Sequence, residues 1–189
     1  MVVSGPAGVG KGTVVKCACE KAGGKIHLSV SATTRPPRPT DKEGMTYYFK
    51  TREEFLRMIQ EDEVLEWAEY VGNYYGTPRK PVEDALSRGL DVILEIEVQG
   101  AMQIKKNFPE AILTFVAPPN REELERRLRG RGTETEDQIA FRLATAIGEM
   151  NRMKEYDYII VNDEIEQAAD DVLAVLRAEK LKKDAYFKE

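Results

Sequence analysis

The stretch GPAGVGKGT, residues 5–13, decides how the rest of the chain is read. Gly5, Gly10 and Lys11 satisfy the phosphate-cradling pattern G-x-x-x-x-G-K-[ST], but Gly12 stands where a magnesium-binding hydroxyl is expected, and Thr13 comes one residue late. Such a loop works by turning successive backbone N–H groups toward the anion, and glycine permits the dihedrals and the close approach this requires. The helix that follows adds free N–H groups and the positive end of its dipole. Lys11 adds a mobile charge for the β- and γ-phosphates. None of this needs the missing hydroxyl, because magnesium keeps much of its water shell and is held largely by nucleotide oxygens. The flanks agree: MVVS reads as a strand, Lys11 to Ala22 as a helix stopped by Gly23-Gly24, and KIHLSVS as a second strand. Strand, loop, helix and strand make a βαβ unit, which implies a parallel sheet. Gly5, Pro6, Ala7, Gly8, Val9, Gly10, Lys11, Gly12 and Thr13 are the expected nucleotide contacts.

A chain of 189 residues, 42% of them hydrophobic, is one domain with a real core and room for small insertions. Its net charge of -5 gives no general attraction to nucleic acid or anionic membrane, so any anion must be met by a local cluster of cations. No apolar run approaches the ~18 residues of a membrane span, and the start of the chain lacks the features of a signal peptide, so the expected location is the cytoplasm. Cys17 and Cys19 point about 200° apart on a helix and read as reduced, packed thiols. His27, the single histidine, excludes a histidine-rich metal site and reads as a strand residue.

Residues 32–80 break the α/β rhythm. The proline-rich TTRPPRPTDKEG leads into MTYYF, then a helix announced by the capping box Thr51-x-x-Glu54, then strands VLEWAEYV and YYGT separated by Gly72-Asn73. This reads as an inserted β-rich lobe. Alternation then resumes, with a helix near Pro81 to Arg88, strand DVILEIE, a helix near Ala101 to Asn107, strand AILTFVA and a helix capped by Asn120. Thr135-x-x-Gln138 starts a further helix with Ile139, Leu143, Ile147 and Met150 on one stripe; strand YDYIIVN and a helix from about Ile165 follow. The expected fold is α/β: a three-layer P-loop core with a parallel sheet (1–31, 81–122, 143–189), an inserted lobe (32–80) and a helical lid (123–142).

Arg35 and Arg38 sit three apart on a segment stiffened by Pro36, Pro37 and Pro39, and two guanidiniums so placed suit an anionic group; solvated surface arginines are the alternative. The segments SGPAGVGKGT, SVSATTRPPR, EWAEYVGNYYGTP, ILEIEVQGA, RLRGRGTETEDQI and YDYIIVND occur in the order found in guanylate kinases, which the chain resembles over almost its whole length. The resemblance implies a core that holds ATP, a lobe that holds GMP and an arginine-rich lid. It implies that Arg35, Arg38, Tyr47 and Tyr75 hold the GMP phosphate, that Ser31, Glu66 and Thr77 read guanine, and that Asn162 contacts adenine. Glu66 has independent support: guanine presents N1–H and N2–H₂ donors side by side to a carboxylate, whereas adenine does not. Glu95 and Glu97 lie at a strand end, where ligands of parallel sheets gather, and the resemblance places both among the GMP contacts. Family members commonly carry aspartate in place of Glu97 and tryptophan in place of Val98.

The acceptor in GMP is already an oxyanion, so catalysis should consist of alignment and charge neutralisation around the moving phosphoryl group. Lys11 and Mg²⁺ would supply one side of that field, without a dedicated protein cage for the metal. The resemblance assigns the other side to Arg127, Arg131 and Arg142. Two rivals remain at this stage: a non-enzymatic guanylate-kinase-like binding module, which would have lost the phosphate loop or lid arginines, and a kinase for another nucleoside monophosphate, which Glu66 with Thr77 argues against.

Overall fold

The computed structural model describes residues 1–130 and 135–182. Strand β1 (Val2–Ser4) lies in the middle of a five-stranded parallel sheet with β2 (Ile26–Leu28), β7 (Asp91–Glu95), β8 (Leu113–Ala117) and β9 (Tyr158–Val161), in the order β2-β7-β1-β8-β9. Successive side chains of a strand face opposite sides of a sheet. Val3, Ile93 and Val116 accordingly pack against α1 (Lys11–Lys21) and α7 (Ile165–Lys180), while Val2, Val92, Leu94 and Leu113 pack against α3 (Arg79–Ser87) and α4 (Val98–Asn107). The three layers follow. The chain leaves β1 toward β2 on one side and later crosses to β8 on the other, so the loop after β1 opens at the switch point where parallel sheets bind ligands.

A second sheet comprises β3 (Ala32–Thr33), β4 (Tyr48–Phe49), β5 (Val64–Tyr70) and β6 (Asn73–Pro78), in the order β4-β3-β6-β5, with α2 (Arg52–Gln60) packed through Phe55 and Met58. Helices α5 (Arg121–Arg129) and α6 (Glu136–Met150) pack together through Leu124, Leu128 and Ala146. Both anticipated capping boxes are formed, at Thr51/Glu54 and Thr135/Gln138. Both cysteines are free, and no helix among the described residues is long and apolar enough to cross a membrane.

Three boundaries differ from the sequence expectation. KIHLSVS is strand only at residues 26–28, because the chain changes sheets before Ala32 pairs with β4 and β6. Helix α3 starts at Arg79 rather than Pro81, since a proline in the first turn forfeits only an N–H that has no intrahelical partner. Helix α4 starts at Val98, so that Gly100 lies inside it.

The β5–β6 turn is also displaced by one residue. Tyr70 pairs with Asn73, leaving Val71 (φ 48°) and Gly72 (φ 73°) as a two-residue turn with both centres left-handed. Asn73 pairs in β6 and donates its side-chain N–H to the Val71 carbonyl at 3.1 Å. A β-branched residue is a poor occupant of that conformation, and Val71 is 79% exposed, so it gains little from packing. Val71→Asn is expected to stabilise the protein by about 1 kcal/mol, raising the melting temperature by about 2–4 °C. An unchanged or lower melting temperature in calorimetry would contradict the strain.

Candidate active site

The loop after β1 is held by close backbone contact. Gly5 has φ 147°, and a Cβ there would stand 2.3 Å from the Val116 carbonyl oxygen, so only glycine fits. The Val9 carbonyl accepts from Asn162 Nδ2 (2.7 Å) at the end of β9 and from Arg127 Nη1 (3.3 Å) on α5. Asn162 is 2% exposed, and its Oδ1 is buried without a hydrogen-bond partner among the described residues. Gly10 caps α1 in the left-handed conformation, and its carbonyl accepts from the Thr13 and Val14 N–H groups, each at 3.1 Å.

Lys11, the first residue of α1, is buried; its Nζ donates to the carbonyls of Gly5 (2.7 Å) and Pro6 (3.4 Å) and lies 3.5 Å from Glu97 Oε2. Glu97 can reach it because Glu97 is the N-cap of α4 and its side chain is not used to cap. Burial raises the pKa of Glu95, with Lys11 opposing and Glu97 adding to the shift. Gly12 faces this carboxylate: a Cβ at position 12 would come within 3.2 Å of Glu95 Oε1. The chain thus places a carboxylate beside the position where the usual motif carries a hydroxyl. Thr13 is exposed on the next position of the helix.

The second cluster lies on the four-stranded sheet. The Arg35 guanidinium sits 5.4 Å from the centre of the Tyr47 ring, which meets Tyr75 edge-on at 6.1 Å. Arg35 is aimed by Asp41, whose Oδ2 accepts from Arg35 Nη2 (2.8 Å) and from the Arg38 backbone N–H (2.7 Å). Those two contacts hold the Asp41 carboxyl below its ordinary pKa, the Arg38 N–H more than the guanidinium. Arg38 itself is exposed. Tyr47 has its pKa raised by burial and by Tyr75, while Arg35 opposes the shift.

Glu66 is 6% exposed, and its Oε1 accepts from the Thr77 hydroxyl at 2.7 Å. Burial raises its pKa; only the hydroxyl and N–H of Thr77 oppose the shift. The backbone aims it: β5 carries one extra residue between Val64 and Trp67 relative to β6, and this bulge turns Glu66 inward. Ser31 is half-buried just ahead of β3, its carbonyl accepting from the Tyr48 N–H at 2.9 Å.

Of the three arginines expected on the lid side, Arg127 is brought to the loop. It is oriented by Glu123 (Nε to Oε1, 2.6 Å), whose pKa is pushed down to about 2 by Arg126 and Arg127. Arg142 is half-buried on α6, and its side chain is engaged. Arg131 lies outside the described residues.

Four residues at these clusters carried little or no weight in the sequence. Asp41 has a weak signal, three residues beyond Arg38 in a proline-rich turn. Glu149 has none: it is half-buried on α6 and accepts a hydrogen bond from the Ala7 N–H, with its pKa raised by burial and by Glu97 and lowered by Lys11. Gln103 likewise gives no hint of its two bonds to Trp67. Gly100 gives no signal while the helix is read from Ala101, and it falls inside α4 only because that helix begins at Val98. A Cβ there would stand 2.4 Å from Glu66 Oε2, so the glycine makes room for the carboxylate. Gly100→Ala is expected to displace Glu66 and, on the sequence expectation that Glu66 reads guanine, to raise KM for GMP about tenfold. Steady-state kinetics check this, and an unchanged KM for GMP would show that the space is not needed.

The sequence model of the guanylate kinase family matches residues 1–179. The guanylate kinase of Desulfitobacterium hafniense is 52% identical over 180 residues, covering 95% of this chain and 90% of its own, and that of Bacillus subtilis is 50% identical over 184 residues, covering 97% and 90%. The crystal structure of guanylate kinase from Anaplasma phagocytophilum superimposes with a TM-score of 0.78 at 40% identity, covering 96% of this chain and 86% of that one. A shikimate kinase from Bacteroides thetaiotaomicron, with a TM-score of 0.52 at 16% identity, shares the fold alone. With a phosphate loop at the switch point, a second sheet carrying a buried carboxylate, and matches of this extent, the chain belongs to the guanylate kinase family.

Proposed function

We propose that the two clusters divide the work of ATP-dependent GMP phosphorylation as follows. Residues 5–13 hold the ATP phosphates, with Lys11 on the β- and γ-phosphates, and the Oδ1 of Asn162, buried and without a partner among the described residues, accepts from the adenine amine. Arg35, Tyr47 and Tyr75 hold the GMP phosphate, with Arg38 joining from its exposed position. Glu66, with Thr77 and Ser31, takes guanine. Arg127, Arg131 and Arg142 supply positive charge from the other side of the γ-phosphoryl group as it moves in line to the GMP oxygen. We extend the same pocket to dGMP, which presents the same base edge.

The family uses ATP, which implies a divalent metal; we assign Mg²⁺. Glu95 and Glu97 offer hard oxygens that suit it, but no cluster of three or more metal-ligating side chains occurs among the described residues. The metal would arrive with the triphosphate, and when bound it would neutralise phosphate charge. The protein's own part is to exclude water, align the two nucleotides and keep Lys11 at the transferred group.

The observation that carries this reading is the Glu66 carboxylate. It is buried, it is bonded to Thr77 rather than to a cation, and Gly100 leaves space for its second oxygen. A polar site of this kind rejects a base that leaves it unpaired by roughly 10⁴–10⁵-fold in kcat/KM. A coupled assay of ADP formation from ATP with GMP, AMP, CMP and UMP tests it. GMP should be the preferred acceptor, with little ADP formed when no acceptor is present; equal kcat/KM for AMP would overturn the assignment of the pocket.

A further inference from the structure

Helix α4 touches three parts of the machinery with residues spaced three apart along one side. Glu97 reaches Lys11, Gly100 yields its Cβ space to Glu66, and Gln103 grips the backbone of Trp67. The last contact has a specific form. The Trp67 N–H donates to Gln103 Oε1 at 3.2 Å, and Gln103 Nε2 donates to the Trp67 carbonyl at 2.7 Å.

Strand β5 is the outer strand of its sheet, so peptide groups that point away from β6 have no strand to pair with. The Gln103 carboxamide offers one donor and one acceptor in the arrangement of a peptide group, and it satisfies both at Trp67. Trp67 ends the bulged segment that carries Glu66. A bulge leaves its extra residue outside the regular ladder and so fixes it less firmly than a paired residue. The same helix therefore shapes the space around the Glu66 carboxylate and pins the backbone one residue away.

We infer that Gln103 is a positioning residue for guanine recognition: its two bonds to Trp67 hold the β5 bulge in the register that presents Glu66 to the base. The inference rests on the reading that Glu66 accepts from guanine. Gln103 touches no nucleotide in this assignment and acts only through the strand.

The test is steady-state kinetics of Gln103→Leu, Gln103→Glu, Glu66→Gln and the double variant Gln103→Leu/Glu66→Gln, with GMP and ATP varied separately and melting temperatures recorded. Losing two hydrogen bonds should raise KM for GMP about tenfold in Gln103→Leu, with kcat and KM for ATP within about twofold of the parent. Gln103→Glu keeps the acceptor for the Trp67 N–H and loses the donor, so it should fall between the parent and Gln103→Leu. In the Glu66→Gln background, Gln103→Leu should add little, because its effect is routed through Glu66. Three results would overturn the role of Gln103: an unchanged KM for GMP, equal rises for both nucleotides with a lowered melting temperature, or full persistence of the effect without Glu66. Should Glu66→Gln itself leave KM for GMP unchanged, the guanine assignment fails instead, which is a separate outcome of the same data set.

Discussion

Replacing Lys11 with methionine is expected to lower the turnover number by about 10²–10³ while leaving the fold intact, the scale seen when one preorganised charge-stabilising donor is removed from an enzyme. The aliphatic stem of Lys11 is retained, and the bonds lost are those from Nζ to the carbonyls of Gly5 and Pro6, which together cost about 1–2 kcal/mol. The catalytic loss exceeds this because of what stays behind. Glu95, Glu97 and Glu149 all lie within electrostatic reach of Lys11 or of one another. Without the ammonium those carboxylates face phosphate oxygens with one cation fewer between them. Coupled ADP production gives the turnover number, and far-UV circular dichroism with a melting curve reports on the fold. A turnover number within threefold of the parent, in a folded variant, would remove Lys11 from the transferred group.

Much of the core was legible because its signals are local. The glycine loop between MVVS and a helix can bury its backbone polar groups in few ways, and apolar runs such as VIL at residues 92–94 mark strands covered on both faces. The capping boxes at Thr51 and Thr135 depend on residues three apart, and both form. The departures have non-local causes. Nothing in SVSATT reveals that the chain changes sheets between Leu28 and Ala32, since a strand residue looks alike in either sheet. The turn at Val71-Gly72 defeats the preference for asparagine at positive φ because the pairing of Tyr70 with Asn73 fixes the register.

The site was legible at residues whose chemistry is conspicuous and opaque where a residue matters through its neighbours. Lys11 and Glu66 are picked out by the motif and the family pattern, and the structure gives them distinct surroundings. Asp41, Gly100 and Gln103 act by holding Arg35, admitting Glu66 and pinning Trp67, contacts between residues 6, 34 and 36 positions apart in the chain. The Arg35–Asp41 pair shows the distinction well: one partner was expected to bind phosphate, whereas the other, a few residues away in the same loop, sets the direction in which it points.

Glu66→Gln should separate recognition from stability by moving them in opposite directions. Glutamine can still accept from the Thr77 hydroxyl, but it cannot accept from both guanine donors, so KM for GMP should rise about 100-fold, equivalent to about 3 kcal/mol, with KM for ATP little changed. Stability should increase at neutral pH, since the substitution removes a buried charge. The sign follows from the raised pKa. The folded chain binds a proton at Glu66 more tightly than the unfolded chain does, so this group stabilises the fold most below the ordinary glutamate value of 4.5 and loses that contribution as pH rises through the folded value. The advantage of glutamine should therefore grow with pH across that window, while KM for GMP in the parent falls over the same range as the carboxylate ionises and becomes able to accept from guanine. Melting curves and GMP titrations at matched pH values measure both trends. If glutamine lowers the melting temperature at pH 7 and leaves KM for GMP unmoved, Glu66 is a structural member of β5, and the base must be recognised elsewhere.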